Sequence, residues 1–271
     1  MPKTVLITGA STGIGCETAR LFQQKGWNVV ATMRSPDKET ELANLPRVSC
    51  LPLDVTDSHS IQQSVANALQ QFGTIDVLVN NAGYALIGAF EACTPEEIQR
   101  QFATNVFGLM EMTRALLPHF RERRAGVIVN LASIGGHIAI PLYSPYHATK
   151  WAVEGFSESL QYELEPFNIR VKIIEPGPIK TDFYTRSLAF AKQPGLTAYD
   201  SFVEKVTRAH NRAGETGSPP SVTAQVIYKA ATDGTTKLRY PAGGNASAIL
   251  LMRRLLPDGL FRQVIRNAMI R

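Results

Sequence analysis

Cysteine is scarce in this chain. Only three of 271 residues are cysteine, Cys16, Cys50 and Cys93. The number is odd, the spacings are wide and no CxxC pair occurs, which excludes a disulfide framework and a zinc-type ligand set. No metal is expected, and reduced thiols in the cytoplasm are the expectation. Long apolar runs are missing too: no stretch approaches the roughly 20 residues of a bilayer-spanning helix. Met1 leads almost directly into the apolar Val5-Leu6-Ile7-Thr8, with no secretory leader ahead of it. Dense basic blocks are also absent. The net charge of +5 is spread along the chain, unlike the clustered stripe of a nucleic-acid binder. Charged residues make up 19% and hydrophobic residues 44%, which excludes a disordered chain.

What is present is an alternation of short apolar strands and amphipathic helices. Strand patterns cover Val5–Thr8, Asn28–Met33, Val48–Leu53, Val77–Val79, Gly126–Leu131, Arg170–Glu175 and Lys237–Tyr240. Helical patterns fall between them: Cys16–Lys25, Ile61–Phe72, a long one from Thr94 past Asn105 towards Pro118, another from Tyr143 to Leu164, and Val222–Ala231. Thr94-Pro95-Glu96-Glu97 is a well-formed helix start, and Asp57 or Ser58 caps the helix before it. Such alternation implies an α/β fold: a doubly wound, Rossmann-type parallel sheet of about seven strands with helices on both faces. No linker divides residues 1–271, so one domain is expected. It includes a partly helical substrate flap at about 179–220 and a C-terminal extension at about 241–271.

Strand, glycine-rich turn, helix and strand in that order form the phosphate-binding unit of a dinucleotide fold. Here the turn is Thr8-Gly9-Ala10-Ser11-Thr12-Gly13-Ile14-Gly15. Its spacing departs from G-x-G-x-x-G, and a plain tight turn is the competing reading. The second strand ends Ala31-Thr32-Met33-Arg34, without the carboxylate that bonds a ribose 2′-hydroxyl in NAD sites. Arg34 can instead grip a 2′-phosphate, which points to NADP(H) over NAD(H). As a bland alternative, Arg34 is a solvated loop cation; Lys38 is a weaker helper. Asp54 could accept from an adenine amino group. Asn80-Asn81-Ala82-Gly83 suits either a cofactor wall or ordinary turn chemistry. Asn105, set among Phe102, Val106 and Leu109, reads equally as a satisfied core amide.

Tyr146 and Lys150 form the only Tyr-x-x-x-Lys of the chain. On a helix this spacing puts phenol and ammonium on one face. A phenol ionises near pH 10, and a neighbouring cation lowers that value. A shift of roughly 3 units needs about 4 kcal/mol, more than one exposed pair supplies. A second cation, such as an oxidised nicotinamide, is therefore wanted.

Jointly, Thr8-Gly9-x-x-x-Gly13-Ile14-Gly15, Asn80-Asn81-Ala82-Gly83, Asn105, Ser133, Tyr146-x-x-x-Lys150 and Pro176-Gly177 resemble the classical short-chain dehydrogenase/reductase family. The resemblance covers Thr4 to about Thr181, with every motif in family order. Met33-Arg34, Asn105-Val106-Phe107-Gly108 and Ile174-Glu175-Pro176-Gly177 are similar to the subgroup of 17β-hydroxysteroid and retinol dehydrogenases. The resemblance implies Tyr146 as general acid for carbonyl reduction and base in reverse. It implies Lys150 as the group that lowers the Tyr146 pKa and holds the nicotinamide ribose, and Ser133 as donor to the substrate oxygen. Asn105 would hold a water linking Lys150 to solvent. Cofactor contacts are implied for Gly9, Ser11, Thr12, Gly13, Ile14, Gly15, Asn81, Ala82, Gly83, Pro176, Gly177 and Ile179. To these it adds Arg34 at the 2′-phosphate, Asp54 near adenine and Thr181 at the carboxamide.

The expected substrate lining is apolar: Tyr84, Leu86, Ile87, Ile134, Ile138, Ile140, Leu142, Tyr143, Pro178, Phe183 and Tyr184. It implies a hydrophobic ketone, aldehyde or secondary alcohol, steroid-, retinoid- or lipid-like. His137 reads as a solvated loop residue, with contact to a polar group the lesser alternative. Ile249–Ile270 carries Arg253, Arg254, Arg262, Arg266 and Arg271 on an apolar stretch. Packing on its own domain or a neighbouring subunit is expected of it, with membrane contact the lesser alternative. A homodimer or homotetramer is expected by analogy. The competing functions are a catalytically idle NADP(H)-binding sensor or scaffold and, less favoured, an epimerase or dehydratase.

Overall fold

A computed structural model describes residues 2–181, 183 and 187–270. The chain opens with β1 (Thr4–Thr8), α1 (Gly13–Gln24), β2 (Asn28–Met33), β3 (Val48–Pro52), α2 (Ser58–Phe72) and β4 (Val77–Asn80). It continues through β5 (Ala85–Ile87), α3 (Pro95–Phe102), α4 (Gly108–Arg123), β6 (Gly126–Leu131), α5 (Ser144–Leu164) and β7 (Ile169–Pro176). The last part holds β8 (Leu188–Phe190), α6 (Asp200–Thr216), α7 (Pro220–Thr232), β9 (Arg239–Ala242), α8 (Ala246–Leu255) and α9 (Asp258–Ile270). The expected strands are all present within about two residues of their ends. The three-residue strands β5 and β8 were not foreseen, being too short to show a period.

Seven strands form one parallel sheet in the order β3-β2-β1-β4-β6-β7-β9. β1 is buried at all five residues, and its Val5 sits opposite both Val29 and Val77. Burial on both faces explains its unbroken apolar pattern. One face of the sheet is covered by α1 and α7, where Phe22 meets Trp27 and Tyr228 edge-on, each at 5.0 Å. The other face packs Leu6, Leu78 and Ile128 against Met112, Leu116 and Phe120 of α4 and Leu160 of α5. The direction of winding reverses between β1 and β4. Such a reversal opens a crevice at the carboxyl ends of the strands, where ligands bind in these folds.

Local chemistry sets the helix starts. The Asp57 carboxylate accepts from the His59 N–H at 2.9 Å, so Asp57 rather than Ser58 caps α2. Thr94 and Glu97 form a reciprocal capping box at α3. The long helix expected past Asn105 is interrupted: residues Ala103–Phe107 take the wider π turn. The basic tail forms two helices, broken at Leu256-Pro257, and α9 lies against α6. No helix among the described residues is long and apolar enough to cross a membrane.

Candidate active site

The crevice is a cavity of about 1250 Å³. Its first wall is the turn between β1 and α1, where Ser11, Thr12, Gly13 and Ile14 face the space. Gly9 takes φ +66°, and a Cβ at Gly15 would lie 2.4 Å from the Gly9 carbonyl oxygen and 2.5 Å from Asn81 Nδ2. Only glycine permits that approach. The turn is stitched to β4 by Asn81, whose Nδ2 donates to the carbonyls of Thr8 (2.8 Å) and Gly9 (2.9 Å). Thr8 Oγ1 in turn accepts from the N–H groups of Asn81 and Ala82, each at 3.0 Å. Thr12, at the N-terminus of α1, makes no side-chain capping bond, so the first N–H groups of that helix depend on another partner.

At the far end of β2, Arg34 is exposed on the cavity rim and makes no ion pair among the described residues. Asp54 faces it. Burial alone would raise the Asp54 carboxyl, but bonds from the Thr56 N–H and hydroxyl, helped by the Arg34 charge, hold it below the ordinary carboxylate value. Lys38 does not reach the wall.

The opposite wall comes from the end of β6, the start of α5 and the end of β7. Ser133, Tyr146 and Lys150 line the cavity together, as do Pro176, Gly177, Ile179 and Thr181. Tyr146 and Lys150 share one face of α5, with the ammonium 5.7 Å from the Tyr146 ring centre. Lys150 Nζ donates to the Leu131 carbonyl at 2.8 Å. Burial draws the ammonium down to about 8, and the Glu154 carboxylate one turn on opposes that fall. Ser133 Oγ accepts from the Gly135 N–H at 3.0 Å.

Of the residues singled out from sequence, Ser11, Arg34, Asp54, Ala82, Gly83 and Ile179 all face the cavity, with those just named. Two site candidates lie behind the wall instead. Gly15 is a packing contact. Asn105 is buried in the π turn and gives both amide protons away, to the Tyr84 carbonyl (2.9 Å) and Thr149 Oγ1 (3.2 Å). Its oxygen accepts from the Tyr84 N–H. Asn80 turns into the core, bonding Thr113 and Asn130. Ile87 and Leu142 are buried away from the cavity, and Tyr184 lies outside the described residues.

The short chain dehydrogenase family model matches residues 3–191. The chain belongs to the short-chain dehydrogenase family. A 3-ketodihydrosphingosine reductase of Bacteroides thetaiotaomicron is 35% identical, covering 98% of this chain and 97% of that one. A short-chain dehydrogenase from Streptomyces avermitilis has a solved structure with TM-score 0.84 and 35% identity, over 97% of this chain and 94% of that one. ElxO with NADP bound gives TM-score 0.74 and 27% identity, over 92% and 100%. A 3-ketoacyl-(acyl-carrier-protein) reductase from Brucella melitensis complexed with NADH gives 0.75 and 29%, over 90% and 98%.

Several residues of this short-chain dehydrogenase escaped the sequence reading. His147, on α5, accepts from the Ile140 N–H at its Nε2 (3.0 Å), so its Nδ1 carries the proton and donates to the Gly135 carbonyl (2.9 Å). Burial lowers its pKa, in keeping with a neutral ring. It thereby holds the loop after Ser133. His210 of α6 bonds the Tyr143 hydroxyl beside Tyr146, and burial pulls it down to about 4. His137 is not a solvated loop residue. It sits 2.8 Å from Glu175 and 3.4 Å from Glu154, two buried carboxylates that Arg239 also approaches. Bonds to Glu154 and then Glu175 lift it to about 9. Nothing in the local sequence announces this cluster, because its four members come from four separate segments.

Proposed function

We propose that this short-chain dehydrogenase transfers a hydride between NADP(H) and a hydrophobic ketone or aldehyde, or the matching secondary alcohol in reverse. The observation that carries the reading is the meeting of Ser133, Tyr146 and Lys150 on one wall of a cavity whose remaining surface is largely apolar. The chain's own residues fit the cofactor. The glycine cradle at Gly9 and Gly15 and the uncapped start of α1 suit a pyrophosphate, and exposed Arg34 suits a 2′-phosphate. Solved relatives with NADP and with NADH support a nicotinamide dinucleotide. The preference for NADP(H) rests on Arg34 and on the lack of a carboxylate at the end of β2.

When bound, the cofactor supplies the hydride, which adds to the carbonyl carbon. The Tyr146 hydroxyl gives its proton to the carbonyl oxygen, completing the alcohol, and takes it back in the oxidative direction. Ser133 donates to the same oxygen as negative charge develops there. Lys150, charged below about pH 8, favours the Tyr146 phenolate. Asn105 is a positioning residue: through Thr149, whose hydroxyl donates to the Tyr146 carbonyl at 2.7 Å, it fixes the turn of α5 that carries the phenol. With its amide protons used in this way, a water leading to Lys150 would be held by its main chain.

The substrate is proposed to be steroid-, retinoid- or lipid-like; the apolar lining and a relative named for a sphingoid ketone support the lipid. The cytoplasm is the proposed site of action, in keeping with three free cysteines. The test is cofactor consumption with a panel of steroids, retinoids and long-chain carbonyls, for wild type and Tyr146→Phe. We expect a loss of about 10²- to 10⁴-fold in the variant. Equal rates for the two proteins would remove Tyr146 from the chemistry.

A further inference from the structure

We propose that the cavity continues beyond the reaction centre as an apolar arm between α6 and α9, built for the aliphatic chain of an elongated substrate whose far end is anionic. The proposal rests on the oxidoreductase reading and adds to it the shape of the substrate. The cavity of about 1250 Å³ takes in the dinucleotide crevice and the reaction centre, and its lining runs on into the C-terminal helices. Phe261, Val264, Ile265, Ala268 and Met269 line it from α9. They recur at the three-, four-, seven- and eight-residue steps that put side chains on one helical face. From the other side α6 presents Ala209, Ala213 and Thr216, with His210 nearest Tyr143.

Of the α9 stripe only Phe261 is buried, while Val264 and Ala268 stay exposed although they face this space. The exposed part of an apolar stripe that lines a cavity gains further burial when an apolar ligand lies along it. Continuity with the wall that holds Tyr146 makes the substrate itself the occupant. At its outer end the arm adjoins a recess of about 310 Å³, and Ala209, Arg212, Ala268 and Met269 line both. Lys205, Arg208 and Ile270 complete that recess. Three cations of α6 thus meet at the exit, and Glu204, 2.5 Å from Arg208, is the one carboxylate paired with them among the described residues. The excess positive charge selects an anionic terminus, a carboxylate or a phosphate.

Two independent readouts test this. In steady-state kinetics, kcat/KM of the wild type for straight-chain methyl ketones, from butanone upwards, rises about threefold for each methylene that enters the arm. Ala268→Trp sets an indole across the arm and lowers the long-to-short ratio by at least about tenfold. Binding without turnover is read from the fluorescence of cis-parinaric acid and of its methyl ester. Wild type favours the free acid; Arg212→Glu cuts that preference about fivefold, and added salt acts in the same direction. Laurate and dodecyl phosphate as competitors then tell carboxylate from phosphate. A flat chain-length series, or parinaric acid binding untouched by Ala268→Trp, overturns the arm. Equal affinity for acid and ester overturns the anionic terminus. If no ketone of any length consumes cofactor while parinaric acid binds as described, the arm stands and the oxidoreductase reading falls.

Discussion

Single side chains in this cavity carry separable tasks, and two of them give sharp tests. Arg34 is exposed at the rim and makes no ion pair among the described residues, so its charge is available to a phosphate ester. Arg34→Asp should reverse cofactor preference, favouring NADH, with a change of at least about tenfold in the ratio of dissociation constants. Fluorescence titration of both cofactors checks it, and tighter NADH binding by the wild type would contradict the assignment. Gly15 stands differently, because its contact is with the protein itself. Adding a methyl group 2.4 Å from the Gly9 carbonyl oxygen forces the turn apart. Gly15→Ala should cost about 1–3 kcal/mol in denaturant unfolding and weaken dinucleotide binding with it. An unchanged midpoint would mean that the turn adapts freely.

Secondary-structure elements bring the cluster behind the site together. His137 ends the turn after Ser133, Glu154 follows Lys150 by one turn of α5, Glu175 is the last residue but one of β7 and Arg239 begins β9. Glu158 takes the other end of Arg239 at 2.6 Å. These contacts clamp the three segments that supply Ser133, Lys150 and Pro176. His137 ionises near 9 in the folded protein, above its unfolded value of about 6.5. Its stabilisation is therefore complete below about pH 6.5 and lost as pH rises through about 9. For a half-buried pair that is worth about 1 kcal/mol. Thermal melts of wild type and His137→Ala should differ by about 2–4 °C more near pH 6 than above pH 9. A difference that does not vary with pH would show that the imidazolium charge is immaterial.

That cluster also marks where reading the sequence stopped. The glycine turn, the Tyr146–Lys150 pair, the Asp57 and Thr94 caps and the seven sheet strands were legible because each is a local pattern. Ion pairs between segments, such as His137 with Glu175, have no local signature. The π turn at Ala103–Phe107 was equally silent, since an amphipathic period survives one extra residue. Tail residues expected to pack on their own domain or a neighbouring subunit place an apolar stripe on the cavity.

At the scale of the whole molecule, aromatic side chains remain open to solvent beside the site. Phe107, Trp151 and Tyr162, on the π turn and α5, are 57%, 52% and 68% exposed. Apolar area of that kind is commonly covered by a second copy, and we propose a homodimer or homotetramer assembled through it. Light scattering should give a multiple of the 29.7 kDa chain mass, and Trp151→Asp with Tyr162→Asp should return the single-chain mass. A wild type that runs as a monomer at micromolar concentration would dismiss the assembly.

β8 lies beside β5 in a parallel pair, Ala85 opposite Leu188 and Ile87 opposite Phe190. β8 separates two stretches. The glycine turn and the proposed catalytic residues Ser133, Tyr146 and Lys150 are encoded before it, whereas α6, α8 and α9 follow it. Selection could therefore graft a new final stretch onto an unaltered chemical engine, and lineages that share the first part would diverge in diet while keeping their reaction.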